Sequence, residues 1–226
     1  MLPSLHTDAD SPYCDGVLDY TRWYLNAKFL RGPDAWCSLP EWRESKRMRN
    51  DVAKAWRRGY VVSRAKHVGD IAPSLLSVLH SKNKRQGRVI GRFGVVPVIR
   101  PAMPGASKLS LLDVNGWPVR DYDCYTCPRH YCAMWQVHDA DGALTAFMDV
   151  AVAGDIAICC SGMGHADHLT NGVMNLLFHA LMSDLQSAGV THLYYGNEKA
   201  LKESSMGLWM RGAGFVNVEK VVVNGS

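Results

Sequence analysis

The chain has 226 residues and a formal net charge of +4; 47% of its residues are apolar and 20% are charged. This balance is ordinary for a globular enzyme, and the length favours one domain with one substantial core. No apolar run approaches the roughly 18 residues that cross a bilayer, so we expect no membrane partner. The N-terminal stretch MLPSLHTDADSPYCDG carries acidic residues where a secretory signal has basic and apolar ones, which predicts a cytoplasmic protein.

The positive charge is concentrated in one part of the chain. Residues 41–100 contain 15 Lys and Arg against 4 Asp and Glu, which leaves −7 for the remaining residues. A block this basic, with aromatic residues and a Gly-containing loop among its charges, favours a docking face for a polyanion over an ordinary solvated surface. Because no repeat or long linker interrupts the chain, we expect residues 1–226 to form a single domain. Its basic half lies at about 41–100 and its catalytic core at about 122–226.

Two helices and a strand are predicted in the basic half. The segment SKRMRNDVAKAWRR has Ser45 as a helix cap and Gly59 just beyond the helix end. The apolar residues at helical spacing, which predict its buried face, are Met48, Val52, Ala55 and Trp56. The segment YVVSRAK then predicts a strand, DIAPSLLSVLHS a second helix, and KNKRQGR a basic loop that turns at Gly87.

The C-terminal half alternates between strands and helices. Three β-rich runs, HYCAMWQVH, LTAFMDVAV and DIAICCSG, are joined by the hairpin turns DADG and AGD. They are followed by a long amphipathic helix in TNGVMNLLFHALMSDLQSAG, a strand in THLYYG, a short helix in ESSMGLWMRGAG and a strand in FVNVEKVVV. This order predicts an α/β fold with a mixed, mostly antiparallel sheet flanked by helices, in which the strands near 155–162 and 192–196 are parallel neighbours.

The segment CYTCPRHYC has the residue types of a metal site. Its candidate ligands are Cys124, Cys127, His130 and Cys132. Structural zinc takes four such ligands, but usually as two pairs with a longer separation. Two other interpretations stay open: reduced cysteines in a tight turn that leads into a core strand, or a reactive site completed by distant residues. Seven cysteines cannot all pair, which favours reduced thiols.

An open Fe(II) centre is the second type of metal site, and it needs histidine and carboxylate ligands. The available residues are His130 or His138, Asp149 and His165. Asp149 is notable because the rest of FMDVAV is apolar, and a carboxylate in a central strand needs a partner. We therefore predict a catalytic role for Asp149 over a purely structural one, with His130 and His165 as further candidates for proton transfer.

The order of elements and the terminal block LWMRGAGF resemble the Gcn5-related N-acetyltransferase superfamily. In that superfamily two neighbouring parallel strands splay apart and the acyl donor sits between them, which implies DIAICCSG and THLYYG as the splayed pair. The resemblance implies that Ser161 opens into this splay, as a donor to the acyl carbonyl or as a nucleophile. It also implies an acid to the leaving group on the other side, either Tyr194 or its neighbour Tyr195.

The superfamily's Gly-containing pyrophosphate turn is absent, and SGMGHADHLTNG, which carries His165, stands in its place. Acetyl-CoA is therefore not the expected donor. Backbone N–H groups near Thr170 to Val173, where the long helix begins, remain a candidate anion site.

Longer segments are similar to the Mom family of DNA-modification proteins of Mu-like bacteriophages. They are CPRHYCAMWQVHDADG, GMGHADHLTNGVMNLL, YYGNEKALKESSMGLWMRGAGF and the basic segments RMRNDVAKAWRRGYVVSRAK and SKNKRQGR. The resemblance implies a transferase in the host cytoplasm that converts adenines of double-stranded phage DNA to N6-(carbamoylmethyl)adenine and protects that DNA from restriction. An activated glycyl or other acyl donor, carried for instance by a charged tRNA, fits the added group.

The DNA-facing residues are expected among the basic and aromatic ones. Phosphate contacts are assigned to Lys82, Lys84, Arg85, Arg88, Arg57 and Arg58. An adenine that is modified at N6 must leave the duplex stack, and Tyr131 and Trp135 are the predicted stacking rings.

Two other functions share these sequence features. The first is an aminoacyl-tRNA-dependent transferase that acts on a peptide or a cell-wall precursor. The second is a non-catalytic nucleic-acid-binding protein with a degenerate acyltransferase core.

Overall fold

A computed structural model describes residues 34–64, 68–82, 84–85, 88–89, 100–101, 109–112, 118–119, 129–197 and 205–218. The helices of these residues are α1 (Lys46–Arg57), α2 (Val68–His80), a 3-10 helix (Ala166–Asn171), α3 (Val173–Ser187) and α4 (Ser205–Gly212). The longer strands are β1 (Asp34–Ser38), β2 (Val61–Arg64), β8 (His130–His138), β9 (Leu144–Ala153), β10 (Ile156–Gly164), β11 (His192–Asn197) and β12 (Val216–Val218). Short strands between them are β3 (Lys84–Arg85), β4 (Arg88–Val89), β5 (Arg100–Pro101), β6 (Leu109–Leu112) and β7 (Pro118–Val119).

The main sheet contains seven strands in the order β12-β1-β11-β10-β9-β8-β2. Its neighbours are antiparallel with one exception, the parallel pair β10–β11. This confirms the predicted mixed, mostly antiparallel sheet with helices beside it. No helix within the described ranges is long and apolar enough to cross a membrane.

The centre of the sheet is the meander β8–β9–β10, which the alternating sequence predicted. Between β8 and β9, the Asp139 carboxylate accepts hydrogen bonds from the Asp141 N–H (3.1 Å) and the Ala143 N–H (2.8 Å). Gly142 adopts φ +81°, a conformation that glycine reaches without a steric cost. The residues that predicted this hairpin in the sequence, Asp139 and Gly142, are therefore the residues that form its turn.

Both faces of the sheet are covered. On one face Ala133, Trp135 and Val137 of β8 belong to the core that lies under α1 and α3. On the other face Met134 and Gln136 are also buried, and α2 packs against β9 and β10. We call these the α3 face and the α2 face. The alternation of β8 confirms the predicted assignment of its side chains to two faces.

Helix α1 begins as predicted, because the Ser45 hydroxyl accepts a hydrogen bond from the Met48 N–H at 3.2 Å. Its buried residues are Met48, Val52 and Ala55. Trp56, predicted to share this buried face, is 56% exposed. The prediction was wrong for Trp56, whose ring lies edge-on against His179 of α3, with 5.6 Å between ring centroids.

Strand β1 had no counterpart in the sequence prediction. It pairs antiparallel with both β11 and β12, and Ala35, Trp36 and Cys37 are buried. A segment as short as DAWCS carries too few residues for a period-two pattern, and its partners lie more than 150 positions away in the chain. Strand β1 is therefore defined only by its pairing with β11 and β12.

The basic segment KNKRQGR forms a hairpin where we predicted a loop. Lys84 pairs with Val89 and Arg85 pairs with Arg88, while residues 86–87, which include the predicted turn at Gly87, lie outside the described ranges. Part of the predicted last strand is present as β12, and residues 219–223 lie outside the described ranges.

We expect Gly172→Ala to destabilise the protein, because Gly172 has φ +86° and an added Cβ would lie 2.3 Å from the Asp51 carbonyl oxygen of α1. Gly189→Ala is the matched control: φ is +78°, but nothing lies within 4 Å of the added Cβ. Chemical denaturation should show that Gly172→Ala costs about 1–3 kcal/mol more than the control, which is the range for overpacking. Equal losses would mean that α1 does not press on the start of α3.

Candidate active site

The parallel strands β10 and β11 separate part-way along their length. Their ladder joins Ile156 to His192, Ala157 to Leu193 and Ile158 to Tyr194, and ends there. Strand β10 nevertheless continues to residue 164 and β11 to residue 197. The distal part of β10 is therefore not paired with β11, and the predicted splay between these strands is confirmed.

An irregularity in β10 coincides with this separation. Cys159 pairs with Val150 of β9, whereas Ser161 pairs with Asp149, so residue 160 is an extra residue on β10. Such a β-bulge bends its strand and increases the local twist, and bulges are common next to active sites. The bulge thus gives a local reason for β10 to turn away from β11 while it keeps its pairing with β9.

Asp149 and Ser161, two of the predicted catalytic residues, are brought together by this pairing. They are direct cross-strand partners in the ladder between β9 and β10. Asp149 is half-buried, and its neighbours Met148 and Val150 are fully buried. The carboxylate therefore lies on the α2 face, one strand away from the place where the sheet opens.

His130 and His165, the other predicted proton carriers, do not join Asp149. His130 is fully buried and pairs with Ala153, four residues from Asp149 along β9. The backbone N–H of His165 donates to the backbone carbonyl of Thr145 at 2.7 Å. Thr145 lies four residues from Asp149 in the other direction along β9. At about 3.3 Å per residue, each lies about 13 Å along the sheet from Asp149. The backbone pairing therefore does not bring either histidine next to Asp149.

The two adjacent tyrosines of β11 point to opposite faces. Tyr194 pairs with Ile158 and shares the α2 face with Asp149; it is fully buried, with its ring centroid 5.2 Å from that of Trp36. Tyr195 lies in the core of the α3 face near Trp209, and burial raises the pKa of its hydroxyl. Tyr194 is therefore the tyrosine on the side of the candidate site.

The loop that replaces the pyrophosphate turn is an ordered hydrogen-bonded segment. The Tyr60 hydroxyl lies 2.7 Å from His168 Nδ1, and Asn171 Nδ2 donates to the same hydroxyl at 2.9 Å. The Tyr60 hydroxyl therefore links His168 to Asn171 at the end of the 3-10 helix. The rings of His165 and His168 lie edge to face, 5.3 Å apart. Sequence analysis did not predict this tie between the loop and Tyr60.

The start of α3, predicted as an anion site near Thr170 to Val173, is occupied by polar groups of α1. The Asp51 carbonyl lies against Gly172, and the Asp51 carboxylate accepts from Asn175 Nδ2 at 2.7 Å. Lys54 Nζ donates to the Thr170 carbonyl at 2.7 Å. An incoming pyrophosphate would meet the oxygens of Asp51, so this geometry gives a physical reason against coenzyme A at the helix end.

The predicted phosphate-binding residues lie on two elements. Arg57 and Arg58 are exposed at the end of α1, and Arg58 also hydrogen-bonds the Asn171 side chain. Lys82 is exposed just after α2. Lys84, Arg85 and Arg88 lie on the β3–β4 hairpin, where the structure describes only the backbone.

Trp135 does not fit its predicted role as a base-stacking ring. It is 1% exposed, and its Nε1 donates to Asp184 Oδ2 at 2.6 Å, which fixes the indole in the core. Tyr131 is half-buried, and the Arg64 guanidinium lies over both rings, 5.5 Å from the Tyr131 centroid and 4.9 Å from that of Trp135. Burial, more than the opposing charge of Arg64, raises the pKa of Tyr131, so its hydroxyl stays protonated at neutral pH. Tyr131 stays a candidate for stacking.

The predicted zinc site lies mostly outside what the structure describes: Cys124 and Cys127 are outside the described ranges, and the side chain of Cys132 is not described. Within the described residues, no group of three or more His, Cys, Asp and Glu side chains is placed to hold a metal. The Fe(II) set does not fit, because His130 and His165 flank Asp149 at opposite ends of β9. Cys37 and Cys159 are buried and in no disulfide, and burial raises the pKa of Cys37 to about 12, in line with the predicted reduced thiols.

Comparison with known proteins shows that the fold of this chain is similar to that of several solved structures. No family model and no curated protein matches the chain. The structure of FemX matches with a TM-score of 0.56 and 11% identity over 83% of this chain and 60% of FemX. The C-terminal domain of a putative lysylphosphatidylglycerol synthetase from Agrobacterium fabrum matches with a TM-score of 0.47, 18% identity and coverage of 81% and 51%. L-PGS from Bacillus licheniformis matches with a TM-score of 0.47, 14% identity and coverage of 74% and 45%.

The chain spans about half the length of these solved chains. The FemX match, the central meander and the splayed parallel pair together establish the fold that the sequence predicted. It is a Gcn5-related acyltransferase-like fold.

We expect Trp135→Phe to lower the stability of the protein. The change removes the hydrogen bond to Asp184 and leaves a small cavity, which together cost about 1–3 kcal/mol in the free energy of unfolding. Denaturant unfolding measures this loss. Tyr131→Phe, which keeps a ring at the half-buried position, is the control. An unchanged free energy of unfolding in Trp135→Phe would contradict the fixed place of the indole in the core.

Proposed function

We propose that the protein transfers an aminoacyl group from an activated donor whose carbonyl lies in the opening between β10 and β11. The observation that carries the proposal is the end of the parallel ladder at Ile158 and Tyr194, next to a bulge that aligns Ser161 with Asp149. The opening gives a carbonyl group access to the backbone of β10, and Asp149 supplies a carboxylate one strand away.

In the transfer step, an amine attacks the carbonyl carbon of the donor. Backbone N–H groups of β10, in the place where a β11 ladder would continue, stabilise the negative charge that develops on the carbonyl oxygen. The new C–N bond forms as the bond from the carbonyl carbon to the donor oxygen breaks. Asp149 takes the proton that the amine loses and returns it to the donor oxygen, which leaves as a hydroxyl.

The acceptor that we propose is the N6 amine of adenine in double-stranded DNA. Two observations support it: the similarity of long sequence segments to the Mom family, and the exposed basic residues of α1. The exposed cations of α1 are Lys46, Arg47, Arg49, Arg57 and Arg58. Such a surface binds phosphates in a salt-dependent way, while an extruded adenine supplies the amine.

With glycine as the transferred residue, a second step accounts for the carbamoylmethyl group. After transfer, the amine of the glycyl group attacks C6 of the purine through a five-membered ring. The bond between C6 and the original N6 breaks, and that nitrogen becomes the nitrogen of a carboxamide. The product is N6-(carbamoylmethyl)adenine, with no atom added beyond the glycyl group.

This route makes an isotope prediction. If the protein receives tRNA charged with ¹⁵N-glycine together with plasmid DNA, the label should lie on the nitrogen bonded to purine C6, and the carboxamide nitrogen should be unlabelled. Tandem mass spectrometry of the released nucleosides distinguishes the two positions. Label in the carboxamide would contradict the exchange of nitrogens, and an unlabelled adduct would contradict glycine as the source.

Asp149→Asn should lower the rate of adduct formation by about 10²- to 10⁴-fold, the usual contribution of a general base. Asp141→Asn is the matched control, since the same change occurs at an exposed position in the β8–β9 turn. Quantitative mass spectrometry of the adduct under single-turnover conditions measures both. Equal rates in the two variants would remove Asp149 from the mechanism.

A second candidate is an aminoacyl-tRNA-dependent transferase that acts on a peptide or a cell-wall precursor. The fold shared with FemX favours it, and so does the start of α3, where Asp51 opposes a pyrophosphate. The basic surface of α1 would then bind tRNA. Mass spectrometry of cells that express the protein separates the candidates: a new adenine adduct supports the first, and a modified peptide or precursor without the adduct supports the second.

A further inference from the structure

An open groove lies between the end of α1, strand β2 and the outer side of α3. Its volume is about 420 Å³, within the roughly 300–1,000 Å³ of small-molecule sites. The residues of this groove that bear on its chemistry are Trp56, Tyr60, Val62, His179, Ser183 and Asp184. The groove is on the α3 face, so the sheet separates it from Asp149.

Trp56 is the most unusual residue of this groove. Its side chain is 56% exposed, although tryptophan is among the most costly side chains to leave in water. The ring is nevertheless held in place, because its neighbour His179 lies edge-on at 87° between ring planes and is hydrogen-bonded to Glu44. A fixed and exposed indole is suited to stacking with a planar ring.

Charge around the groove is divided between its two sides. On the α1 side, Arg57 and Arg58 follow Trp56 directly and are exposed. On the α3 side, Asp184 is exposed, and its Oδ2 accepts from Trp135 Nε1. A ligand that fits this arrangement has an anionic part beside α1 and a planar part with an N–H donor beside Asp184.

We propose that this groove binds one unpaired base of a nucleic-acid strand. The base stacks on Trp56, an exocyclic amino group of the base donates to Asp184 Oδ1, and the adjoining phosphates contact Arg57 and Arg58. The occupant is thus a base with an exocyclic amine, which adenine and cytosine have and thymine lacks. This site binds and positions a strand; it does not depend on the transfer reaction proposed above.

The first test measures the affinity of labelled single-stranded oligonucleotides by fluorescence anisotropy. Trp56→Ala should weaken binding of oligodeoxyadenylate by about 5- to 100-fold, and Trp56→Phe should keep most of the affinity. Leu208→Ala is the matched control, because Leu208 is a 68% exposed apolar residue on α4. An abasic oligonucleotide of the same length should bind wild type and Trp56→Ala equally well.

The second test concerns the amino group of the base. Asp184→Asn retains an oxygen for the bond from Trp135 but replaces the other oxygen with an N–H donor. The ratio of the affinities for oligodeoxyadenylate and oligodeoxythymidylate should therefore fall to the value that stacking on Trp56 gives by itself. The dependence of affinity on salt concentration should stay unchanged. Arg57→Ala and Arg58→Ala should instead reduce the salt slope for both oligonucleotides.

Two results would overturn the proposal: unchanged affinity in Trp56→Ala, or an equal loss for the intact and the abasic oligonucleotide. The readouts are binding constants measured without a donor, so an inactive transferase would not affect them. Conversely, weakened binding by Trp56→Ala together with a normal rate of adduct formation at saturating DNA would support the stacking site and leave the proposed transfer intact. Circular dichroism of each variant checks that the fold is retained.

Discussion

The early end of the parallel ladder between β10 and β11 is the constraint on which the candidate active site depends. Three residue pairs hold the strands together, and the bulge at residue 160 then turns β10 away while its pairing with β9 persists. Beyond Ile158 and Tyr194 the two strands no longer pair with each other. The same bulge sets the register that places Ser161 beside Asp149.

The contact between α1 and α3 closes the start of α3. In this chain the start of α3 is covered by Asp51 of α1, and Gly172 is the residue that allows so close an approach. Lys54, Arg58 and Tyr60 extend the contact along the 3-10 helix that precedes α3. The helix end where an anion would otherwise bind is thereby used for packing, and the positive charges of α1 are turned to solvent.

Two surfaces with different chemistry follow from this arrangement. The α2 face carries Asp149 beside the opening between the strands, and the α3 face carries the basic helix and the groove at Trp56. In our proposals the first surface performs the transfer and the second holds a nucleic-acid strand. The sheet between them means that substitutions at Trp56 and Asp149 affect binding and chemistry separately.

The sequence by itself determined the elements whose pattern is local. The β-rich composition of their segments predicted β8 and β9 closely, Ser45 and Gly59 marked the limits of α1, and Asp139 to Gly142 marked a hairpin. The tertiary structure alone decided which residues meet: Asp149 lies beside Ser161 but far from His130 and His165, Trp135 is buried, and Trp56 is exposed. The reason is that strand register and helix docking are set by contacts between residues distant in the chain, which a local pattern does not encode.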